Sequence, residues 1–445
     1  MSQSIKNQLK KHPHWSEIKQ IVLKLSQHGF EVFIVGGAVR NALLNKTVKD
    51  VDLATSAKPE HISKLFPKSN SSFAKYGVIF IPLKNNHKIE ITTFRKDSSY
   101  KDGRRPQSVQ YSSIEEDAKR RDFTINALFY DLKTDQIIDL VSGIKDLKNK
   151  KIKAVGKAEK RLEEDHLRML RALRQAHQLS FKLDKSLQKA ILKLSQNISS
   201  ISKERVLDEL MKMFSIGKID QALKSLNNCG LLQPVLPQLA ESLSDLSFKN
   251  PRFQKQNSHT KKTNKIIIKK NPFNFWKQKF SFYQEPAFCW AVIGLPFFYS
   301  DIKKFSAFVK NYPIKNTIIK KSLSYLKSVQ TLIDSKSAFA EQLIAFNGQK
   351  SQVYELTYNF LESGVLKNKN LPKLKQNLKF VFKEFHKREV KNKLPPALIK
   401  GADLLKLSPP VKKSHFSKIL KQAFNYQMEK PKLKKKDILK KLGYK

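Results

Sequence analysis

The stretch VKDVDLATSA, Val48 to Ala57, sets Asp50 and Asp52 either side of a single valine. On an extended backbone residues i and i+2 share a face, so the two carboxylates stand side by side. Like charges that close repel one another unless a cation lies between them. Mg²⁺ suits such a place, because it takes carboxylate oxygens and fills its other positions with water and phosphate. Glu90, inside IEITTF, is expected on a neighbouring strand as a third carboxylate. Alone, the pair is equally a solvated strand face, so the surrounding residues decide.

Upstream lies IVGGAVRN. A strand that ends at Gly36 and Gly37 and turns straight into a helix presents backbone N–H groups to an anion. Arg40 falls one turn in, within reach of a phosphate. A bare strand–helix turn would look the same. A phosphate cradle some ten residues before a carboxylate pair, however, is the layout that metal-assisted nucleotidyl transfer requires.

The charge balance points the same way. Lys and Arg number 86 against 38 Asp and Glu, a formal excess of +48 over 445 residues. A field of that size favours a polyanionic partner, nucleic acid above all. Abundant Lys and Asn make compositional drift part of the cause. The sequence has no apolar run long enough for a membrane span, and MSQSIKNQLKKHPHW has no signal-peptide core. Cys229 and Cys289 have no motif spacing. They fit a reducing cytoplasm and give no cysteine-based zinc site.

The first 150 residues read as mixed α and β. Helical periodicity runs over 15–28, followed by a short buried strand in EVFIVGG and a helix in AVRNALL. VDLAT is extended, PEHISKLF is helical, and YGVIFIPL and HKIEITTFR form a hairpin. Beyond about residue 155 the pattern is helical throughout, EEDHLRMLRALRQAHQL included. Residues 246–284 interrupt it with ten basic side chains and no acidic one, which reads as a basic loop or insert. From Val411 onward twelve lysines face Glu429 and Asp437. The expected domains are 1–150, 151–240, the insert 241–285, and a helical body with basic tail, 286–445.

Five segments in order, GGAVRN, DVDLATSA, EEDAKRRDFTINAL, LVSGIKDL and EDHLRMLRALR, resemble the motifs of class II tRNA nucleotidyltransferases (CCA-adding enzymes) and bacterial poly(A) polymerases. The resemblance covers about residues 15–235. It implies an α+β fold: a polymerase-β-like head with a mixed sheet, followed by an all-α neck, body and tail. It implies that Asp50 and Asp52 hold Mg²⁺, with Glu90 assisting. Gly36, Gly37 and Arg40 would meet the triphosphate. Arg121 and Asp122 would meet phosphate and ribose, with Asn126 nearby. Asp165 and Arg168, three apart on one helix, would read the incoming base; an ordinary helical ion pair has the same spacing. Arg171 and Arg174 would contact nucleotide or primer phosphates.

Three positions depart from the pattern. Asn41 replaces the usual aspartate after Arg40, Ser142 the first of a glycine pair, and Gln175 an aromatic after Arg174. The substitution at Asn41 puts a supporting hydrogen bond in doubt.

Between the two branches, FAKYGVIFIPL, the polar loop FRKDSSYKDGRRP (with Lys101, Asp102, Arg104 and Arg105) and PALIKGADLLKL with FSKILKQAFNYQ lean towards CCA addition. The partners implied are the tRNA 3′ end, ATP and CTP. The basic charge and PAFCWAVIGLPFF lean towards poly(A) synthesis, with a catalytically inactive RNA-binding protein as a third possibility.

Overall fold

The computed structural model describes residues 2–97, 109–248, 284–295, 302–333, 337, 339–362, 371–389, 393–405, 407, 411, 413–430 and 433–444. The chain divides into two compact units: Met1–Met213 with Ser225–Val235, and Phe214–Lys224 with Leu236–Lys445. The polar loop at 98–108, with Lys101, Asp102, Arg104 and Arg105, and nearly all of the basic insert lie outside the described residues.

The first unit opens with helices α1 (Ser2–Leu9) and α2 (Trp15–Gln27), then strand β1 (Val32–Val35), α3 (Gly37–Leu43), β2 (Asp52–Thr55) and α4 (Pro59–Leu65). The hairpin β3 (Val78–Pro82) and β4 (Lys88–Thr93) follows, then a small ladder, β5 (Arg95–Asp97) with β6 (Val109–Tyr111). After α5 (Ile114–Arg120) come β7 (Leu128–Asp131), β8 (Gln136–Asp139) and α6 (Gly143–Lys148), then α7 (Ala158–Glu164) and α8 (Arg168–Leu179). The main sheet runs β3-β4-β2-β1-β7-β8. Only β2 and β4 are parallel, so the sheet is mixed, as expected. The β7–β8 hairpin and α1 were not anticipated.

Strand alternation sorts the side chains onto two faces. Ile34, Leu53, Ile91 and Tyr130 point into a core shared with α1 to α4, through Leu9, Leu25, Val39 and Ile62 among others. Phe33, Val35, Ala54 and Phe129 point the other way and pack with Phe94 and with Ala118 of α5. Asp52 is two residues before Ala54 on that second face, and the β2–β4 register sets Glu90 directly beside it. The sheet therefore delivers both carboxylates to one edge of a small apolar cluster.

Gly36 ends β1 with φ +70°, a conformation that suits glycine. Ser142 sits at φ +62°, which a small polar residue tolerates. Gly143 cannot be replaced in the same way, because an added Cβ would lie 2.2 Å from the Thr124 carbonyl oxygen. The shortened glycine pair thus keeps the glycine that packing demands.

The described part of the second unit is helical. The helix Pro286–Ile293 is buried from Ala287 onward, and Trp290 sits among Phe308 and Tyr312 with ring centroids 5.9 and 5.8 Å away. At the C-terminal end Ile399, Leu404 and Leu407 pack against Ile419, Ala423 and Ile438.

Candidate active site

A cavity of about 830 Å³ opens in the first unit, and all thirteen residues singled out from the sequence line it. Its wall carries ten Lys and Arg side chains against five carboxylates. That excess favours a polyphosphate occupant.

The carboxylates come first. Asp52 starts β2, whereas Asp50 precedes the strand on an unpaired strap, so only one of the two is fixed by sheet hydrogen bonds. Both keep solvent-exposed surface. The cavity walls, followed by repulsion from Glu90 and Asp50, push the Asp52 carboxyl up to about 6 against the pull of Arg121. Among the described residues no three His, Cys, Asp or Glu side chains form a metal-ligand group. Glu90 is thus a charged neighbour of the pair rather than one of a formed trio.

Arg40 is the second feature. Its side chain is buried, 7% exposed, and its guanidinium bonds neutral amides. Asn41 Oδ1 accepts from Nε at 3.1 Å and Nη2 at 2.9 Å, while Asn126 Oδ1 accepts from Nη1 at 2.5 Å. The doubt raised by Asn41 is therefore settled, since its amide oxygen still grips the guanidinium with two bonds. Gln175 has a place in the same chain: its Oε1 accepts from Asn126 Nδ2 at 3.1 Å. Burial brings Arg40 down to about 10, with Arg174 and Arg171 adding to the effect and Asp122 opposing it. Asp122 is the strongest charge acting on this buried cation, but it makes no direct bond to it and two more cations lie nearby, so the guanidinium can take a further anion.

Of the other arginines on the cavity wall, Arg120, Arg121, Arg168, Arg171, Arg174 and Arg205 are each held by a carboxylate, while Arg95 donates to the Tyr76 carbonyl. Arg171 grips Asp122 through Nε (3.1 Å) and Nη2 (2.6 Å). Burial alone would raise Asp122, yet Arg171 and the Asn126 hydrogen bond hold it far below the usual carboxylate range. Fully buried Asp117 clamps Arg120 and Arg121. The Arg121 guanidinium also lies 4.8 Å from the Phe129 ring centre.

One expectation fails here. EDHLRMLRALR is not a single helix: α7 ends at Glu164, Asp165 is extended (φ −150°, ψ 105°), and α8 begins at Arg168. Asp165 and Arg168 are not neighbours on one helix; the Arg168 N–H donates to the Asp165 carbonyl at 3.0 Å, but their side chains pair elsewhere. Asp165 Oδ1 accepts the Leu167 N–H at 3.0 Å and its Oδ2 accepts from Arg205 at 2.9 Å, whereas Arg168 pairs with Glu164 at 2.6 Å. The aspartate side chain instead closes a turn onto the Leu167 N–H, two residues on, as short acidic side chains do. Both residues still reach the cavity.

Sequence reasoning missed Arg205, Asp117, and Glu209, which holds Arg174 at 2.5 Å. Arg205 and Glu209 lie 40 and 35 residues from their partners. Nothing local in the sequence signals such pairs.

A mixed sheet delivering two carboxylates beside an arginine-lined cavity defines a nucleotidyltransferase head, here within a chain whose second unit is helical. Comparison with known proteins agrees. Residues 32–153 match the poly A polymerase head domain, and residues 180–243 match the probable RNA and SrmB-binding site of polymerase A. The CCA-adding enzyme of Enterococcus faecalis is 45% identical over 200 residues, which is 45% of this chain and 49% of that protein. That of Listeria monocytogenes is 42% identical over 228 residues, 51% and 57% of the two chains. The chain spans only 49% to 58% of the length of such curated relatives. The fold match runs further. The Bacillus stearothermophilus CCA-adding enzyme in complex with CTP superposes with a TM-score of 0.67 over 97% of this chain and 98% of that one, at 24% identity. The Thermotoga maritima enzyme complexed with tRNA gives 0.63 over 98% and 97%, at 16% identity. Residues 32–153 thus match a poly A polymerase head domain, and over about half of its length the chain is similar to CCA-adding enzymes.

Proposed function

We propose that this protein adds nucleotides from CTP and ATP to the 3′ end of tRNA without a template, completing all or part of CCA and releasing pyrophosphate. The observation that carries the reading is Arg40, a buried guanidinium held by neutral amides at the wall of a cationic cavity. It calls for an anion, and the turn at Gly36 and Gly37 opens α3 beside it. The nucleotide triphosphate would lie there, near Asp50 and Asp52.

The donor set fits a divalent cation. Two exposed carboxylates, with Asp52 pushed up by its neighbours, gain most from a hard cation that relieves their repulsion. Asp50 and Asp52 would hold it, and Mg²⁺ is the ion we infer. When bound, such an ion neutralises the charge that develops during in-line displacement at phosphorus.

The chain's own residues do the rest. Arg40 and the backbone at Gly37 fix the phosphates. Arg171 and Asp122, locked together, set the wall where Arg121 meets phosphate and Asp122 the ribose. Asp165 and Arg168 face the base: the carboxylate would accept from the amino group of cytosine or adenine, and the guanidinium would donate to the adjacent ring nitrogen. Guanine and uracil carry a ring N–H at that place and are refused. We keep the four-part division into head, neck, insert and body with tail, the last supplying RNA-binding surface. The curated relatives named CCA-adding enzymes favour this reading over poly(A) synthesis. Incubating the protein with labelled CTP or ATP and tRNAs ending before, within and after CCA tests it. Correct one- to three-nucleotide extension supports it, and long adenylate tails on unstructured RNA with no CTP used would replace it.

A further inference from the structure

The carboxylate pair is asymmetric. Asp52 is pinned by the sheet, while Asp50 lies on the strap 46–51, which belongs to no helix or strand. Something else must fix Asp50 for the pair to work as one site. The strap has two kinds of anchor. Val48 and Val51 are buried in the same core cluster as Ile5 and Leu9 of α1. In addition, the Lys49 carbonyl, one residue before Asp50, lies 3.0 Å from His12 Nε2.

The geometry of His12 leaves one tautomer. Its Nδ1 accepts the backbone N–H of His14 at 3.2 Å, so that nitrogen carries the lone pair. Nε2 therefore carries the proton and donates it to the Lys49 carbonyl. Both ring nitrogens are spent on backbone groups, and the ring is 9% exposed. His12 is thus neither a metal ligand nor a solvent-facing base. The tie continues onward: His14 Nδ1 donates to Glu17 Oε2 at 2.8 Å, and Glu17 Oε1 accepts the Lys84 N–H at 3.0 Å. Lys84 sits in the β3–β4 turn, and β4 carries Glu90. One chain of hydrogen bonds connects the strap before Asp50 with the hairpin that delivers its charged neighbour.

We propose that His12 is a positioning residue that fixes the Asp50 strap through the Lys49 carbonyl, so that the N-terminal segment braces the cation site from behind. This rests on the reading that Asp50 and Asp52 hold a cation.

The experiment uses the full chain with His12→Ala, His12→Gln and His12→Asn and follows three quantities. These are amide hydrogen exchange over residues 46–52, Mn²⁺ binding by electron paramagnetic resonance, and CTP incorporation into tRNA lacking CCA. A glutamine amide N–H reaches towards the Nε2 position and can still donate to Lys49; an asparagine fills only the Nδ1 position. His12→Ala and His12→Asn should raise strap exchange about tenfold, the scale of one lost backbone hydrogen bond. They should also weaken Mn²⁺ binding and lower turnover with little change in the KM for CTP. His12→Gln should stay within about threefold of wild type on every readout. Wild-type exchange and Mn²⁺ affinity in a folded His12→Ala protein would overturn the proposal. So would rescue by Asn equal to rescue by Gln, a comparison that survives if the alanine variant fails to fold. Absence of any incorporation by the wild type would instead sink the proposed function, while exchange and Mn²⁺ binding still decide the brace.

Discussion

The two units hold their charges in different ways. In the first, arginine supplies most of the ion pairs; several are local, as Arg121 with Asp117, and three tie distant elements, Arg171 to Asp122, Arg174 to Glu209 and Arg205 to Asp165. In the second, lysine supplies most of the pairs, both local, as Lys387 with Glu384, and long-range, as Lys350 with Glu389 or the more exposed Lys435 with Asp403. Arginine's planar fork fixes direction as well as charge, whereas lysine gives a movable point charge. On the proposed function, the contrast in side chain separates a unit that places donors on a nucleotide from one whose lysines supply a field for an RNA backbone. That division of labour can be broken at several points.

The largest effect should come from the carboxylates. Asp50→Ala or Asp52→Ala should lower incorporation of CTP and ATP alike by about a thousandfold or more, since metal stabilisation of a phosphoryl transition state is worth several kcal/mol. RNA binding, measured by filter retention, should be little changed. Near-normal turnover in either variant would remove the metal assignment.

Arg40→Ala should follow, raising the KM for both nucleotides by about ten- to a hundredfold, the scale of charge-assisted hydrogen bonds. Arg40→Lys should recover little, because an ammonium cannot serve Asn41, Asn126 and a phosphate in the same fork geometry. Equal loss for CTP and ATP is expected; loss confined to one nucleotide would place Arg40 at the base instead.

Arg205→Ala should act on fidelity. Releasing Asp165 from its partner while leaving its bond to the Leu167 N–H should raise UTP incorporation relative to CTP by about tenfold. The matched change in the second unit, Lys435→Ala, should alter stability by about 0.5 kcal/mol or less, as exposed pairs do. It should leave fidelity alone. If the two variants behaved alike in steady-state kinetics, the contrast between the units would carry no function.

The smallest effect concerns stability and pH. A raised Asp52 means that the folded state binds its proton more tightly than the unfolded chain, so this group opposes folding at neutral pH and ceases to as pH falls below both values. In cation-free buffer Asp52→Asn should therefore raise the melting temperature at pH 7.5. The gain should shrink as pH drops through about 6 towards 4. A variant less stable than wild type at pH 7.5 would show Asp52 to be a stabilising ion-pair member instead.

Much of the first unit was legible because its elements are written locally. Strand alternation, glycines at a strand–helix turn, and carboxylates at i and i+2 depend on near neighbours alone. What stayed hidden depends on distance. At the break between α7 and α8, Asp165 exchanges a helical position for a turn bond to the Leu167 N–H and an Arg205 partner 40 residues away, which no periodicity records. Asn41 and Gln175 looked like losses one by one. They are parts of one amide chain, Arg40 to Asn126 to Gln175, that only the folded arrangement displays. In the same way nothing local marked α1, whose Ile5 and Leu9 show their role only once they are seen in the head's core.

The central claim is that one arginine-framed cavity performs nucleotide addition on tRNA. Single-turnover product analysis tests it most directly, with the wild-type protein, Mg²⁺, all four nucleoside triphosphates and a tRNA lacking its last three nucleotides. The account predicts a ladder that stops at or before the third addition, with C entering before A and with G and U refused. Unlimited adenylate addition, or equal use of all four nucleotides, would contradict it.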